Sequence, residues 1–260
     1  MGGVCARKQV EALVSSPGNH SLEPLVRKLG SIASLSFDER QAILNLPAKV
    51  RTLGPHHDIV RDGDRPSQCG LVLEGWVCRY KLLSQGRRQI TAFHVSGDLP
   101  DMQSVHLSVV DHGIATVGQA VVAFIPHEPL RVVLAKFPGL AATLWRDTLV
   151  DAAIFREWVV NVGRRSAYQR LSHLFCEMYV KQAAVGLAQD HCCPLPLTQV
   201  DLADATGLTS VHVNRTLKEM RQNGLITLQG GRLTVHDWAE LTSVAGFDRT
   251  YLHVEPRAAA

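Results

Sequence analysis

The spacing of hydrophobic positions changes twice along the chain. From about residue 51 to residue 125, apolar and polar residues alternate in short runs that are separated by turn residues, and this period of two is typical of β-strands. The runs predicted as strands are residues 58–60, 70–73, 76–80, 88–93, 114–117 and 120–125. Many short strands with regular turns predict an antiparallel β jelly-roll barrel. Before the barrel, residues 22–46 carry helical signals, with a helix start after Ser36.

After residue 138 the apolar positions recur at intervals of three and four, which predicts a long helix over residues 139–163. Its heptad seam consists of Ala141, Trp145, Thr148, Ala152, Phe155, Val159 and Val162, and the residues that widen the apolar face are Leu144, Leu149, Ile154 and Trp158. A helix this apolar must pack on a partner, so we expect both a homodimer through residues 141–162 and contacts with the protein's own barrel. Gly163-Arg164-Arg165 is expected to interrupt the helix before Ser166 caps the next one.

The segment 196–237 has the pattern of a winged helix-turn-helix. Thr198 can cap a first helix with Asp201 as its acidic partner, and Gly207 stands where the turn between two helices needs a positive φ. Thr209 can cap the second helix. Two β-like runs at residues 225–228 and 232–235 flank Gln229-Gly230-Gly231, as in the hairpin of a wing.

A helix with a polar outer face and a leucine seam inside fits the major groove of B-form DNA. Between residues 164 and 232 there are eight Lys and Arg against five Asp and Glu, so the module is mildly basic. The candidate DNA-binding residues are Thr198, Thr209, Ser210, Val211, His212, Asn214, Arg215, Lys218, Arg221 and Arg232. Arg215 is expected to contact guanine, Asn214 suits adenine, and Val211 could touch a thymine methyl.

Composition limits the class of protein. A chain of 260 residues has room for two ordinary domains, and a formal charge of +3 does not by itself imply nucleic acid. No apolar run approaches the ~20 residues that cross a membrane, and residues 1–20 lack a secretory apolar region, so we expect a cytoplasmic protein. The six cysteines are too scattered for a disulfide framework, and Cys192-Cys193 is expected to lie in a variable loop.

The order of barrel, long helix and winged helix-turn-helix resembles the Crp/Fnr superfamily of bacterial transcription regulators. The most specific match lies in residues 197–226, and the turn glycines of the barrel at Gly63, Gly75 and Gly97 are also similar. The resemblance implies an α+β fold with a flexible N-terminal tail at residues 1–21, a cyclic-nucleotide-binding-like sensor barrel at 22–138, a dimerisation helix at 139–163, a DNA-binding domain at 164–242 and a C-terminal tail at 243–260. It also implies a homodimer that binds double-stranded DNA and contacts RNA polymerase.

The departures from this family concern its ligands and its operator. Members that bind cyclic AMP have a Glu and, ten residues later, an Arg-Ser pair, whereas Met102 and His112-Gly113 stand at those positions here. An imidazole is a poor substitute for the guanidinium that pairs with the cyclic phosphate, so these three residues mark only a weak effector pocket and cyclic AMP is not expected. Many members also begin the reading helix with Arg-Glu, which Ser210 and Val211 replace, so we expect a different operator.

Other cofactors and other functions are less well supported. With only Cys5 ahead of Cys69, the spacing excludes the four-cysteine iron–sulfur cluster of the oxygen-sensing branch. Haem needs only one axial ligand, and the scattered histidines of the barrel give no reason to favour it. No catalytic motif is present, so we do not expect an enzyme. The alternatives are an enzyme, or a protein-binding ligand sensor, with an appended helical module.

Overall fold

Two antiparallel sheets form the barrel in the computed structural model, which describes residues 21–254. The strands are β1 (Lys49–Leu53), β2 (Asp58–Val60), β3 (Gln68–Glu74), β4 (Val77–Leu82), β5 (Arg88–His94), β6 (Gly113–Thr116) and β7 (Ala120–Pro126). One sheet has the order β1-β7-β3 and the other has the order β2-β6-β4-β5. Each predicted strand overlaps an observed one, and the α+β fold class is confirmed.

The interior of the barrel is closed by aliphatic side chains from both sheets. Val72 of β3 packs in one hydrophobic cluster with Val60, Val77 and Ile114 of the other sheet. Gly75 joins β3 to β4 with φ +85°, and a Cβ there would lie 2.5 Å from the backbone oxygen of Gln119. Only glycine fits this turn, through which the chain passes from one sheet to the other.

Eight helices surround and follow the barrel within residues 21–254. They are α1 (Glu23–Leu29), α2 (Phe37–Leu44), α3 (His127–Lys136), α4 (Pro138–Arg164), α5 (Ala167–Ala184), α6 (Gln199–Thr206), α7 (Ser210–Gln222) and α8 (Trp238–Ala245). Ser36 and Glu39 form a capping box at the start of α2, so the predicted helix start is confirmed. Sequence patterning missed α3, which follows the last barrel strand without a loop.

The long helix α4 agrees with the predicted one, but the point at which it ends corrects one detail. It ends because Arg165 takes an extended backbone, while Gly163 stays helical, and Ser166 then caps α5. Of the residues expected to widen the seam, Leu144, Ile154 and Trp158 are buried against the protein's own chain. They therefore support α4 on the barrel and not a wider dimer face.

The C-terminal sheet contains one strand more than expected. It consists of β8 (Cys192–Pro194), β9 (Ile226–Gln229) and β10 (Arg232–Val235) in the order β8-β10-β9. The prediction that Cys192 and Cys193 lie in a variable loop is wrong, because β8 pairs with β10 and both cysteines are buried. Three residues are too few to show the alternation of a strand, so sequence patterning does not detect β8.

The segment 243–260 was expected to be a tail, and this is wrong as far as residue 254. Helix α8 continues to Ala245 and a 3-10 helix follows at Arg249–Leu252. Leu252 is buried, and the hydroxyl of Tyr251 donates to Glu177 of α5 at 2.8 Å. The predicted N-terminal tail lies, except for its last residue, outside the described part of the chain.

Candidate nucleic-acid interface

The first helix of the helix-turn-helix is fixed by its own N-terminal residues. The Thr198 hydroxyl accepts from the backbone N–H of Asp201 at 3.1 Å and donates to its carboxylate at 2.6 Å. The same carboxylate accepts from the backbone N–H of Thr198 at 3.0 Å. This capping box confirms the predicted start of α6. The Thr198 hydroxyl therefore both donates and accepts a hydrogen bond within the protein.

The turn between α6 and α7 has the geometry that the sequence predicted. Gly207 adopts φ +66° and ends α6, and Thr209 then accepts from the backbone N–H of His212 at 3.2 Å. Because a threonine hydroxyl can accept one bond and donate another, Thr209 can still donate to a phosphate oxygen. Helix α7 begins at Ser210 in consequence.

Helix α7 divides cleanly into a buried side and an exposed side. Val213, Thr216, Leu217 and Met220 pack into the domain core. On the opposite side, four exposed residues at helical spacing form the strip that we call the reading strip: Val211, Asn214, Arg215 and Lys218. Val211 has 81% of its surface exposed.

The other predicted DNA-binding residues lie around this strip. Arg221 is exposed one turn further along α7, whereas Ser210 and His212 are partly buried at its start. Arg232 is exposed on β10 of the wing, where one of its guanidinium nitrogens donates to the Cys192 sulfur at 3.3 Å. The ten predicted residues thus belong to α6, α7, the turn between them and the wing.

Residues that the sequence did not single out connect the helix-turn-helix to the barrel. Arg88 of β5 donates from Nη2 to Asp201 at 2.9 Å and from Nε to Asp204 at 2.8 Å. The Gln89 amide donates to the carbonyl of Ala205 at 3.4 Å. These contacts hold the side of α6 that faces away from the reading strip, so the strip stays open. Arg88 and Asp201 are 113 residues apart, so no local sequence pattern could have predicted their contact.

The predicted effector residues do not form a cyclic-nucleotide site. His112 contacts the side chains of Gln103 at 3.1 Å and Asp111 at 2.7 Å. The ring of Tyr80 packs directly on Gly113, so that any side chain there would collide with it. Met102 lines a separate small cavity. None of the three residues supplies the cation that a cyclic phosphate requires.

Ion pairs fill the space between the barrel and α4. Arg79 of β4 donates to Asp151 of α4 at 2.7 Å, and Lys28 of α1 pairs with Asp98 at 3.0 Å. Burial opposes ionisation of Asp98, but Lys28 and Lys181 outweigh it and hold the pKa of Asp98 well below its usual value. The remaining cavity of about 30 Å³ has the volume of one water molecule. Pockets that hold small organic ligands have volumes of several hundred Å³.

Within residues 21–254, no group of three or more His, Cys, Asp and Glu side chains is placed to hold a metal ion. In the same range no helix is both long enough and apolar enough to span a bilayer.

Comparison with known proteins matches both halves of the chain. Residues 50–137 match the cyclic nucleotide-binding domain, and residues 169–244 match the Crp-like helix-turn-helix domain. The chain is 30% identical over 176 residues to the nitrogen fixation regulation protein FixK of Bradyrhizobium diazoefficiens, covering 67% of this chain and 72% of that protein. It is 28% identical over 217 residues to the transcriptional activator protein FnrL of Cereibacter sphaeroides, covering 81% and 86%.

The structure of FixK2 from Bradyrhizobium japonicum has the same fold. It superimposes with a TM-score of 0.70 at 24% identity and covers 76% of this chain and 98% of that one. The two domains and the helix between them therefore define a DNA-binding transcription regulator and not an enzyme. The chain belongs to the Crp/Fnr family.

Proposed function

We propose that this regulator binds a partly palindromic operator as a homodimer, with one copy of α7 in the major groove of each half-site. The observation that carries the proposal is the reading strip. Its polar side chains project from a helix whose other side is locked in the domain core. Nothing in residues 21–254 covers it. A helix in this state can enter the groove without first breaking contacts within the protein.

Within the strip, each side chain supports a particular contact. Arg215 can donate two bonds to guanine, Asn214 can pair with the edge of adenine, and Val211 can pack on a thymine methyl. Lys218 and Arg221 follow on α7 at positions suited to phosphates, which give affinity without sequence information. We assign Thr209 and Arg232 to phosphates also, and Ser210 and His212 to the margin of the contact. Thr198 acts through its cap on α6.

The dimer is proposed from the apolar residues that α4 leaves exposed. Trp145, Phe155 and Val159 of the predicted seam are 64%, 48% and 55% exposed, respectively, although the opposite side of the same helix is buried. Exposed large apolar residues at heptad spacing are typical of a helix that pairs with a second copy. Pairing along α4 would place two reading strips on one side of the assembly, as a palindromic operator needs.

The similar proteins also suggest a partner and a cellular location for this regulator. The relative from Cereibacter sphaeroides carries the name of a transcriptional activator, so we propose that this protein also contacts RNA polymerase when bound to DNA. This activity would place it in the cytoplasm. The ion pairs between the barrel and α4 support a regulator that does not use cyclic AMP.

A selection from genomic DNA fragments tests the proposal. Fragments that bind the purified protein are sequenced, and the affinity for the enriched site and for random duplex is measured as salt concentration rises. We expect a shared, partly palindromic site that binds about a thousandfold tighter than random duplex at physiological salt, with both affinities falling as salt increases. A protein that retards no fragment even at low salt would contradict DNA recognition.

A further inference from the structure

One contact between α6 and α7 gives the reading strip a property that the residue types alone do not. The side-chain amide of Asn214 donates from Nδ2 to Oε1 of Gln199, the first residue of α6, at 3.1 Å. Both side chains are exposed on the surface that carries the strip. We infer that Gln199 is a positioning residue that orients the Asn214 amide for adenine, an inference that rests on the proposed function.

The chemistry of a primary amide explains how one side chain can serve both partners. Asparagine carries two N–H groups and one carbonyl oxygen. Adenine in the major groove needs one acceptor for its N6 amino group and one donor for N7, which Oδ1 and one hydrogen of Nδ2 supply. The second hydrogen of Nδ2 is then free for Gln199. The contact therefore leaves the adenine-reading edge of Asn214 complete.

An acceptor at position 199 favours the orientation of the Asn214 amide in which Nδ2 faces Gln199. Rotation of an amide by half a turn exchanges its oxygen and nitrogen at little steric cost, and only hydrogen-bond partners distinguish the two orientations. Oε1 of Gln199 holds Nδ2 on its side. A donor at position 199 would instead attract Oδ1 and turn the amino group toward the groove, where two hydrogens match the two acceptors of guanine.

The test measures base preference at a single operator position. The operator selected for the wild-type protein is changed one base pair at a time, and relative affinities are measured for Gln199→Ala, Gln199→Lys, Asn214→Ala and the double variant Gln199→Ala/Asn214→Ala. We expect a preference for A·T of about tenfold that Asn214→Ala removes. Gln199→Ala should weaken the preference for A·T by about threefold or more at that operator position only. Gln199→Lys should change the preference at that position from A·T to G·C.

Two variants, Gln199→Ala/Asn214→Ala and Gln199→Glu, show whether Gln199 acts by orienting the Asn214 amide or in another way. If Gln199 acts through Asn214, Gln199→Ala changes nothing further in the Asn214→Ala background, and Gln199→Glu, which keeps an acceptor, retains the preference for A·T. An equal loss of affinity for every sequence would instead identify Gln199 as a phosphate contact and overturn the inference. An unchanged base preference in Gln199→Ala and Gln199→Lys would overturn it also.

The result can be distinguished from a failure of the proposed function. If the wild-type protein shows no sequence preference at any base pair, the proposed reading role of α7 is wrong. The other outcome is that the preference that depends on Arg215 persists while the variants at position 199 do not change the base preference. In that case the inference about Gln199 is wrong, but the proposed function stands. Thermal unfolding of each variant confirms that α6 remains folded.

Discussion

Arg88 of the barrel donates at 2.9 Å to Asp201, the capping-box partner of Thr198 at the start of the first helix of the helix-turn-helix. Asp201 has only 1% of its side chain exposed, and Arg88 has 22%. A charged pair that is shielded from water in this way resists separation more than a surface pair does. Arg88 therefore restrains the orientation of α6 relative to the barrel, together with the contact of Gln89 with Ala205.

Replacing Arg88 with Ala should loosen α6 without unfolding the barrel. Loss of one partner leaves the Asp201 carboxylate buried with fewer donors, and we expect the free energy of unfolding to fall by roughly 2 kcal/mol. Backbone amides of α6 should exchange with solvent faster, as hydrogen-exchange mass spectrometry would show. The control is Arg87→Ala, because Arg87 is exposed and donates only to its neighbour Gln85. Unchanged exchange in α6 would show that the contact is not a restraint.

A charge on the exposed seam of α4 should dissociate the dimer. Val159 lies on the predicted seam and Val160 lies beside it on the same helix, with 55% and 46% of their surfaces exposed. Val159→Asp would bury a carboxylate between the two helices, whereas Val160→Asp leaves it in water. Sedimentation should therefore give a monomer for the first variant and a dimer for the second. If both variants remain dimeric, pairing occurs through another surface.

Cyclic AMP at about 1 mM should leave the melting temperature unchanged. A ligand at a hundred times its dissociation constant stabilises the folded state by about 2.7 kcal/mol, which a thermal shift detects easily. Tyr80 packs on Gly113, and the Arg79–Asp151 pair occupies the approach from α4. The selected operator serves as the positive control in the same assay. A saturable rise in melting temperature with cyclic AMP would mean that these side chains move aside.

His94 should make the protein less stable as the solution becomes acidic. Burial lowers the pKa of His94 from 6.5 to about 4, although Asp98 opposes the shift. The histidine therefore stays neutral in the folded protein while the unfolded chain binds a proton, so stability is lost as the pH falls from 6.5 to 4. In His94→Gln this loss should be smaller by as much as about 1.4 kcal/mol per pH unit. Parallel stability curves for the two proteins would contradict the assignment.

Features that depend on neighbouring residues could be predicted from the sequence. The capping box of Thr198 and Asp201 and the left-handed Gly207 each involve residues within one turn of each other, so their spacing identifies them. Six of the seven barrel strands were likewise predicted by their period, whereas β1 was not. The helix-turn-helix was therefore located correctly.

Features that depend on distant residues could not be predicted in this way. The contact of Arg88 with Asp201 and the packing of Tyr80 on Gly113 join segments that only the fold brings together. Strand β8 is too short to show a hydrophobic period. Leu252 is a single buried residue in a segment that has no hydrophobic period. The division of α4 into a buried side and an exposed side also became visible only from the solvent exposure of its side chains in the structure.

The measurement that tests the reading role of α7 most directly compares Arg215→Ala with Lys218→Ala on two duplexes, the selected operator and a random sequence. Arg215→Ala should weaken binding to the operator by about 1–3 kcal/mol and relax selection at one guanine, with little change on random duplex. Lys218→Ala should weaken both complexes alike and lower the salt dependence by about one ion. If Arg215→Ala weakens both duplexes equally, Arg215 contacts only the phosphate backbone and the proposed base reading is wrong.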